Sequence, residues 1–215
     1  MFVTFEGIDG SGKTSVLEAL AREMRAQGHT VLATREPGGS PLGLELRRIV
    51  LEHRKAEMTP ISELFLFLAD RAEHVHKVLL PALSSGTLVF CDRYTDSTLA
   101  YQGAARGLAR QTLMELNSLA SGGLSPDLTL LFDLPVETAL SRIMQRKQKD
   151  GSKVAEGRFD ACARAFHEEV RRAFLELAAE DPRFCVLDAA QPFAEVVRNA
   201  RERISAELEG KRRTI

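Results

Sequence analysis

Residues 7–14 read Gly-Ile-Asp-Gly-Ser-Gly-Lys-Thr, which fits G-x-x-x-x-G-K-[ST]. The chemistry of that pattern is phosphate binding: glycines let successive backbone N–H groups converge on phosphate oxygens at the positive end of the helix that follows. Gly7, Ile8, Asp9, Gly10, Ser11 and Gly12 would form the cradle, Lys13 would reach the β- and γ-phosphates, and the Thr14 hydroxyl is placed to ligate Mg²⁺. Farther on, Asp92 and Arg93 are adjacent. The carboxylate can support Mg²⁺ through its water shell and the guanidinium can clamp phosphate oxygens bidentately, although such a pair can also simply neutralise itself. Phe67, Asp70, Arg71 and His74 fall at i, i+3, i+4 and i+7, one face of a helix. An aromatic ring and a guanidinium one turn apart suit a flat base bearing an exocyclic carbonyl. The same spacing fits a core phenylalanine beside an ion-paired surface arginine, and His74 reads as structural. Ser97 with Tyr101, and Thr98 with Gln102, are also one turn apart, aiming hydroxyls and an amide together.

These groups need elements to hold them. The apolar run Phe2 to Glu6 reads as a buried strand, and Val16, Leu17, Leu20, Ala21 and Met24 repeat at helical spacing up to Gly28, a C-cap candidate. Further strands are expected at Thr30 to Ala33, Thr87 to Cys91, Leu128 to Asp133 and Phe184 to Leu187, with helix-like stretches between them, one running from Ser62 to Leu80. Five strands alternating with helices imply an α/β protein with a parallel sheet covered on both faces. Its ligand-binding edge is the carboxyl end of the strands, where the phosphate loop, Arg35 to Ser40 and Asp92 to Tyr94 would emerge together.

A chain of 215 residues with 44% hydrophobic and 27% charged residues can bury one sizeable core and reads as a single domain over 1–215. Basic residues number 29 and acidic 30, which argues against nucleic acid or a membrane surface held by bulk charge and favours small-molecule partners. With so few residues ahead of the phosphate loop, no export signal is expected. The longest uncharged stretch, Val78 to Cys91, is too short to cross a bilayer and is broken by Pro81 and Gly86. Cys91, Cys162 and Cys185 lack metal-like spacing, so packed thiols in a reducing cytoplasm are expected. One polar patch, Gln145 to Gly157, carries Lys147, Lys149 and Lys153 and reads either as a mobile basic lid, about 145–160, or as a solvated connection.

The chain resembles the thymidylate kinase family, P-loop enzymes that phosphorylate dTMP with ATP. The likeness rests on four segments in order: Phe5 to Thr14, Thr34-Arg35-Glu36-Pro37-Gly38-Gly39-Ser40, Ala69-Asp70-Arg71-Ala72-Glu73-His74, and Asp92-Arg93-Tyr94 through Ser97 to Ala100-Tyr101-Gln102-Gly103. It implies a P-loop NTPase-like three-layer α/β/α fold around a five-stranded parallel sheet, a Mg²⁺ cofactor, ATP and dTMP as small-molecule partners, and a homodimer. It also implies roles. Asp9 would bond the deoxyribose 3′-hydroxyl, Phe67 would stack on thymine, and Arg71 would donate to O4. Arg47 and Arg93 would hold the acceptor phosphate, with Glu36 and Pro37 beside them. Ser97, Thr98 and Gln102 would surround the nucleotide, and Tyr101 would pack under the sugar where a 2′-hydroxyl would crowd it.

Position 10 is glycine where one branch of the family has a catalytic arginine, so the chain resembles the bacterial-type branch with its cations in the lid. Arg146, Lys147, Lys149, Lys153 and Arg158 are then the γ-phosphate candidates. Phe174 stands where the family often has tyrosine. Two other functions remain open at this point: a kinase for another monophosphate such as dUMP or dGMP, and a nucleotide-dependent switch. Leu64 to Leu68, Val75 and Leu79 fit either a dimer seam or the core.

Overall fold

The computed structural model describes residues 1–51, 58–150 and 164–213. Five strands, β1 Phe2–Glu6, β2 Val31–Arg35, β3 Leu88–Asp92, β4 Leu128–Asp133 and β5 Phe184–Asp188, form one sheet in the order β2-β3-β1-β4-β5. Every pairing is parallel. The helices among the described residues are α1 Lys13–Ala26, α2 Pro41–Leu51, α3 Pro60–His74, α4 Leu80–Ser84, α5 Thr95–Thr98, α6 Arg110–Ser121, α7 Val136–Asp150, α8 Arg164–Glu180 and α9 Phe193–Arg213. π-Helical segments occupy Val75–Leu79 and Leu99–Ala105.

β1 and β4 have the expected bounds, whereas β2, β3 and β5 end one or two residues later than expected. The added residues include Arg35, Asp92 and Asp188, polar side chains whose backbones still pair in the ladder. β1 is buried along its whole length because both faces are covered, which is why it reads as an unbroken apolar run. Phe2 packs with Val89 and Cys91 against Val75 and Leu79 on one face, while Val3, Phe5 and Phe90 join Val16 and Leu20 of α1 in a larger cluster.

Register carries the site. Phe5 lies opposite Asp92, and Asp92 opposite Arg35. The ladder then runs one step farther: the Arg93 N–H donates to the Phe5 carbonyl and the Glu36 N–H to the Asp92 carbonyl, each at 3.0 Å. Glu6, Arg93 and Glu36 therefore leave the sheet side by side, and the phosphate loop leaves β1 where the strand order reverses.

The stretch Ser62 to Leu80 is not one α-helix. Thr59 caps the Ser62 N–H and Pro60 takes the first helical position, so α3 starts earlier; after His74 it widens into the π-helical turn and resumes as α4. Pro81 has no N–H for an α-ladder and its ring crowds the carbonyl four residues back, which accounts for the wider turn before it. Val75 and Leu79 are buried in the chain, as are Leu64 and Leu68, which meet Leu113 of α6, so these four serve the core. Of the segment read as a lid, Gln145 to Asp150 continue α7; Lys153, Arg158 and the rest lie outside the described residues, as does Cys162. No helix among the described residues is long and apolar enough to cross a membrane.

Candidate active site

Two glycines of the phosphate loop have no substitute. Gly7 and Gly10 hold φ of 142° and 81°, and a Cβ would meet the Phe132 carbonyl oxygen at 2.7 Å and the Ala139 carbonyl oxygen at 2.5 Å. Gly12, at φ 90°, faces open space and starts α1 in a left-handed conformation. Lys13 is buried, and its Nζ makes a long hydrogen bond, 3.4 Å, to the Ile8 carbonyl. Burial, then the charge of Arg93, lowers its pKa against the pull of Asp92, Asp9 and Glu6. An anion in the loop would reverse that penalty.

The Thr14 hydroxyl donates to Asp92 Oδ2, while Asp92 Oδ1 and Ser11 Oγ are buried without a hydrogen-bond partner. An unpartnered carboxylate oxygen beside a hydroxyl is a hard oxygen-donor set, which fits Mg²⁺ retaining most of its water. The loop opens into a cleft that Arg35, Arg47, Arg93, Arg142 and Arg146 also line. Such a density of cations suits a polyphosphate.

A second cleft is lined by Phe67, Arg71, Tyr101, Thr98, Gln102 and Pro37 among others. Arg71 is 2% exposed, and four of its five N–H groups are spent inside the protein. Nε donates to Glu36 at 2.9 Å, Nη1 to Thr98 Oγ1 and Asn117 Oδ1, and Nη2 to the Tyr94 carbonyl. Arg93 is held as tightly. Nη1 donates to the Gly7 carbonyl and Ser97 Oγ, and Nη2 to Asp9 Oδ1 at 2.7 Å and to the Tyr101 hydroxyl, over whose ring the guanidinium lies. Burial acts to raise the Asp9 carboxyl, but Arg93, Lys13 and the Tyr101 hydroxyl hold it well below the usual range. Asp9, Glu36, Arg47 and Arg93 line both clefts, so the two meet there.

A family model described as thymidylate kinase matches residues 5–200. Thymidylate kinases from Desulfovibrio desulfuricans and Nitratidesulfovibrio vulgaris are 53% and 51% identical to this chain, covering 97% and 96% of it and 96% and 98% of their own lengths. The chain belongs to the thymidylate kinase family. Its fold matches that of a thymidylate kinase crystal structure from Ehrlichia chaffeensis with a TM-score of 0.75 at 30% identity, covering 95% of this chain and 98% of that one.

Within this thymidylate kinase frame, the sequence-derived residues of the described segments converge on the joined clefts. Phe67 is half-buried in the second cleft's wall. Arg47 donates to the Pro37 carbonyl. Both Glu36 oxygens are held, by Arg71 and by His74 Nδ1, so Glu36 braces Arg71. Asp92 and Arg93 do not pair with each other: their partners are Thr14 and Asp9. Gln102 donates to the buried Glu63. Phe174 is buried with its ring centroid 6.3 Å from that of Tyr101. Arg146 lines the phosphate cleft; Arg158 and Lys153 lie outside the described residues, and so do the Lys147 and Lys149 side chains.

Arg35, Asn117 and Glu6 were not distinguished in the sequence. Arg35 looks like any solvated strand-end arginine, Asn117 reaches Arg71 from 46 positions away, and Glu6 passes as the end of a strand. Asp70, on the expected face of α3, has a further property. Its Oδ1 accepts the Gly38 N–H at 2.9 Å while Oδ2 is buried without a partner. Burial, reinforced by Glu36, pushes its carboxyl up to about 7.

A carboxyl with a raised folded-state pKa takes up a proton on folding at pH between the unfolded and folded values, so the fold weakens as pH rises across that interval and the loss is complete once pH passes the folded value. Asp70→Asn should therefore gain stability relative to the parent as pH rises from about 4 to about 7, and hold that gain above. Melting curves across that range check this; a difference that stays constant with pH would refute it.

Proposed function

We propose that the chain transfers the γ-phosphoryl group of ATP to dTMP, giving dTDP and ADP. The observation that carries this reading is the junction of a cation-lined phosphate cleft with a second cleft walled by an aromatic ring and hydrogen-bonding groups, Asp9, Arg47 and Arg93 standing at the join. ATP phosphates occupy the phosphate loop, with Lys13 and Arg146 on the transferring group. Thymine stacks on Phe67, and the remaining N–H of Arg71 meets its O4. Asp9 takes the 3′-hydroxyl, Tyr101 closes the space that a 2′-hydroxyl would need, and Thr98, Gln102 and Ser97 complete the wall. Arg47 and Arg93 hold the acceptor phosphate, Arg93 with its free Nε–H.

An acceptor phosphate oxygen is already anionic near neutral pH, so no strong general base is needed. Positioning and charge neutralisation carry the rate. Mg²⁺, held near Thr14 and Asp92 through water, would neutralise charge on the donor's phosphates. The segment about 145–160, with Arg158, acts as a lid that excludes water from the transferring group. With Leu64, Leu68, Val75 and Leu79 in the core, the homodimer contact is assigned to exposed apolar groups on two packed helices, Leu42 and Leu44 of α2 and Ile61 and Phe65 of α3. The cytoplasm, where ATP and deoxynucleotides are made, is the compartment assigned.

The test is ADP formation from MgATP with dTMP, dUMP, UMP, CMP, AMP and dGMP at matched concentrations. Strong selectivity for dTMP is expected. Preference for another monophosphate would overturn the assignment of the second cleft, and turnover that no acceptor stimulates would overturn the transfer reaction itself.

A further inference from the structure

Arg93 has a backbone φ of 72°, the one positive value on a non-glycine residue among those described. A side chain in that region is disfavoured by about 1–2 kcal/mol, so the surroundings must hold it there. Two consecutive residues of β1 do so. The Arg93 N–H donates to the Phe5 carbonyl at 3.0 Å, and the next N–H, of Tyr94, donates to Glu6 Oε1 at 2.7 Å. The second oxygen of the same carboxylate, Oε2, accepts the Ser97 hydroxyl at 2.6 Å, and Ser97 Oγ in turn accepts Arg93 Nη1 at 3.1 Å. Glu6 thus fixes Arg93 from both sides, through the backbone that follows it and through the hydroxyl that orients its guanidinium. Glu6 is itself fully buried and lines neither cleft.

We propose that Glu6 is a positioning residue for acceptor binding: it sets the left-handed turn at Arg93 and the direction of the guanidinium's one uncommitted N–H. This rests on the reading of Arg93 as a ligand of the acceptor phosphate. Burial, with the nearby Asp96 charge, pushes the Glu6 carboxyl up to about 7; the ionised form is the one suited to the task, because both groups it meets are donors. A glutamine there has one accepting atom, so its amide N–H₂ would face Ser97 and strand the hydroxyl proton. A leucine at this position would leave the Tyr94 N–H unpaired as well.

The experiment is steady-state kinetics of E6Q, S97A, the double variant and R93K, varying dTMP and ATP separately, with melting temperatures recorded for each. E6Q should raise the dTMP KM about tenfold and the ATP KM by much less, and S97A should raise the dTMP KM by a smaller factor. The double variant should be no worse than E6Q alone, because the two act through one chain of bonds. E6D keeps the charge but withdraws it by one methylene; it gives the same dTMP-selective rise if E6Q does not fold. Unchanged KM values in a folded Glu6 variant, an equal rise in both KM values, or additive effects of E6Q and S97A would overturn the proposal. R93K separates the two layers. A normal dTMP KM in R93K removes the assignment of Arg93, whereas a raised one in R93K with normal values in E6Q and S97A removes only the role of Glu6.

Discussion

Replacing Lys13 with alanine should lower kcat about 10²–10³-fold, the range found when a preorganised charge is taken from a transition state. The expectation follows from the lysine's setting. It is buried, its hydrogen bond to the Ile8 carbonyl is long, and burial with the nearby Arg93 charge depresses its pKa. A cation so placed is poorly served by the protein's own groups and is best served by phosphate oxygens. The fold gains little from it, so the alanine variant should melt no lower than the parent. Near-normal turnover would refute the phosphate-loop mechanism. A large drop in melting temperature would instead assign Lys13 to the architecture.

The second large effect is at Arg71. Arg71→Ala should raise the dTMP KM about 100-fold while sparing ATP, and it should also destabilise the protein by about 3–5 kcal/mol, the usual cost of breaking a buried ion pair from one side. The structural part arises because Glu36, Thr98 and Asn117 all lose a donor at once. Arg71→Lys separates the two effects, since it restores a charge beside Glu36 but has no planar fork to reach the other partners and the base together. Kinetics and melting of both variants check this. A lysine variant with parental dTMP affinity would remove Arg71 from base recognition.

Much of this arrangement is readable in the sequence alone. The phosphate loop carries its own signature, and β1 and β4 are readable because strands buried on both faces are continuous apolar runs. What was not legible depends on long-range contact. The helix before β3 contains a π-turn that its apolar spacing cannot reveal, because Val75 and Leu79 suit either winding. Asp92 and Arg93 are adjacent in the chain, yet the strand pleat and the positive φ at Arg93 send them to Thr14 and Asp9, more than 70 positions away. Glu36 does line the phosphate cleft, but its clasp between Arg71 and His74 is invisible in the sequence. In each case the residue type was evident and the partner was not.

The two guanidiniums of the second cleft, Arg71 and Arg93, are almost fully engaged, with four of the five N–H groups of each already bound within the protein. Ordering them is then part of folding, and the incoming nucleotide does not bear that entropy. The corollary is intolerance. On the proposed placement of O4 against Arg71, a nucleotide analogue with bulk there cannot swing the arginine aside without breaking several buried hydrogen bonds, whereas analogues altered at edges these two arginines do not face meet no such barrier. Inhibitors of this site should therefore grow away from Arg71 and Arg93, and resistance substitutions at either arginine would carry a heavy penalty in the enzyme's own fitness.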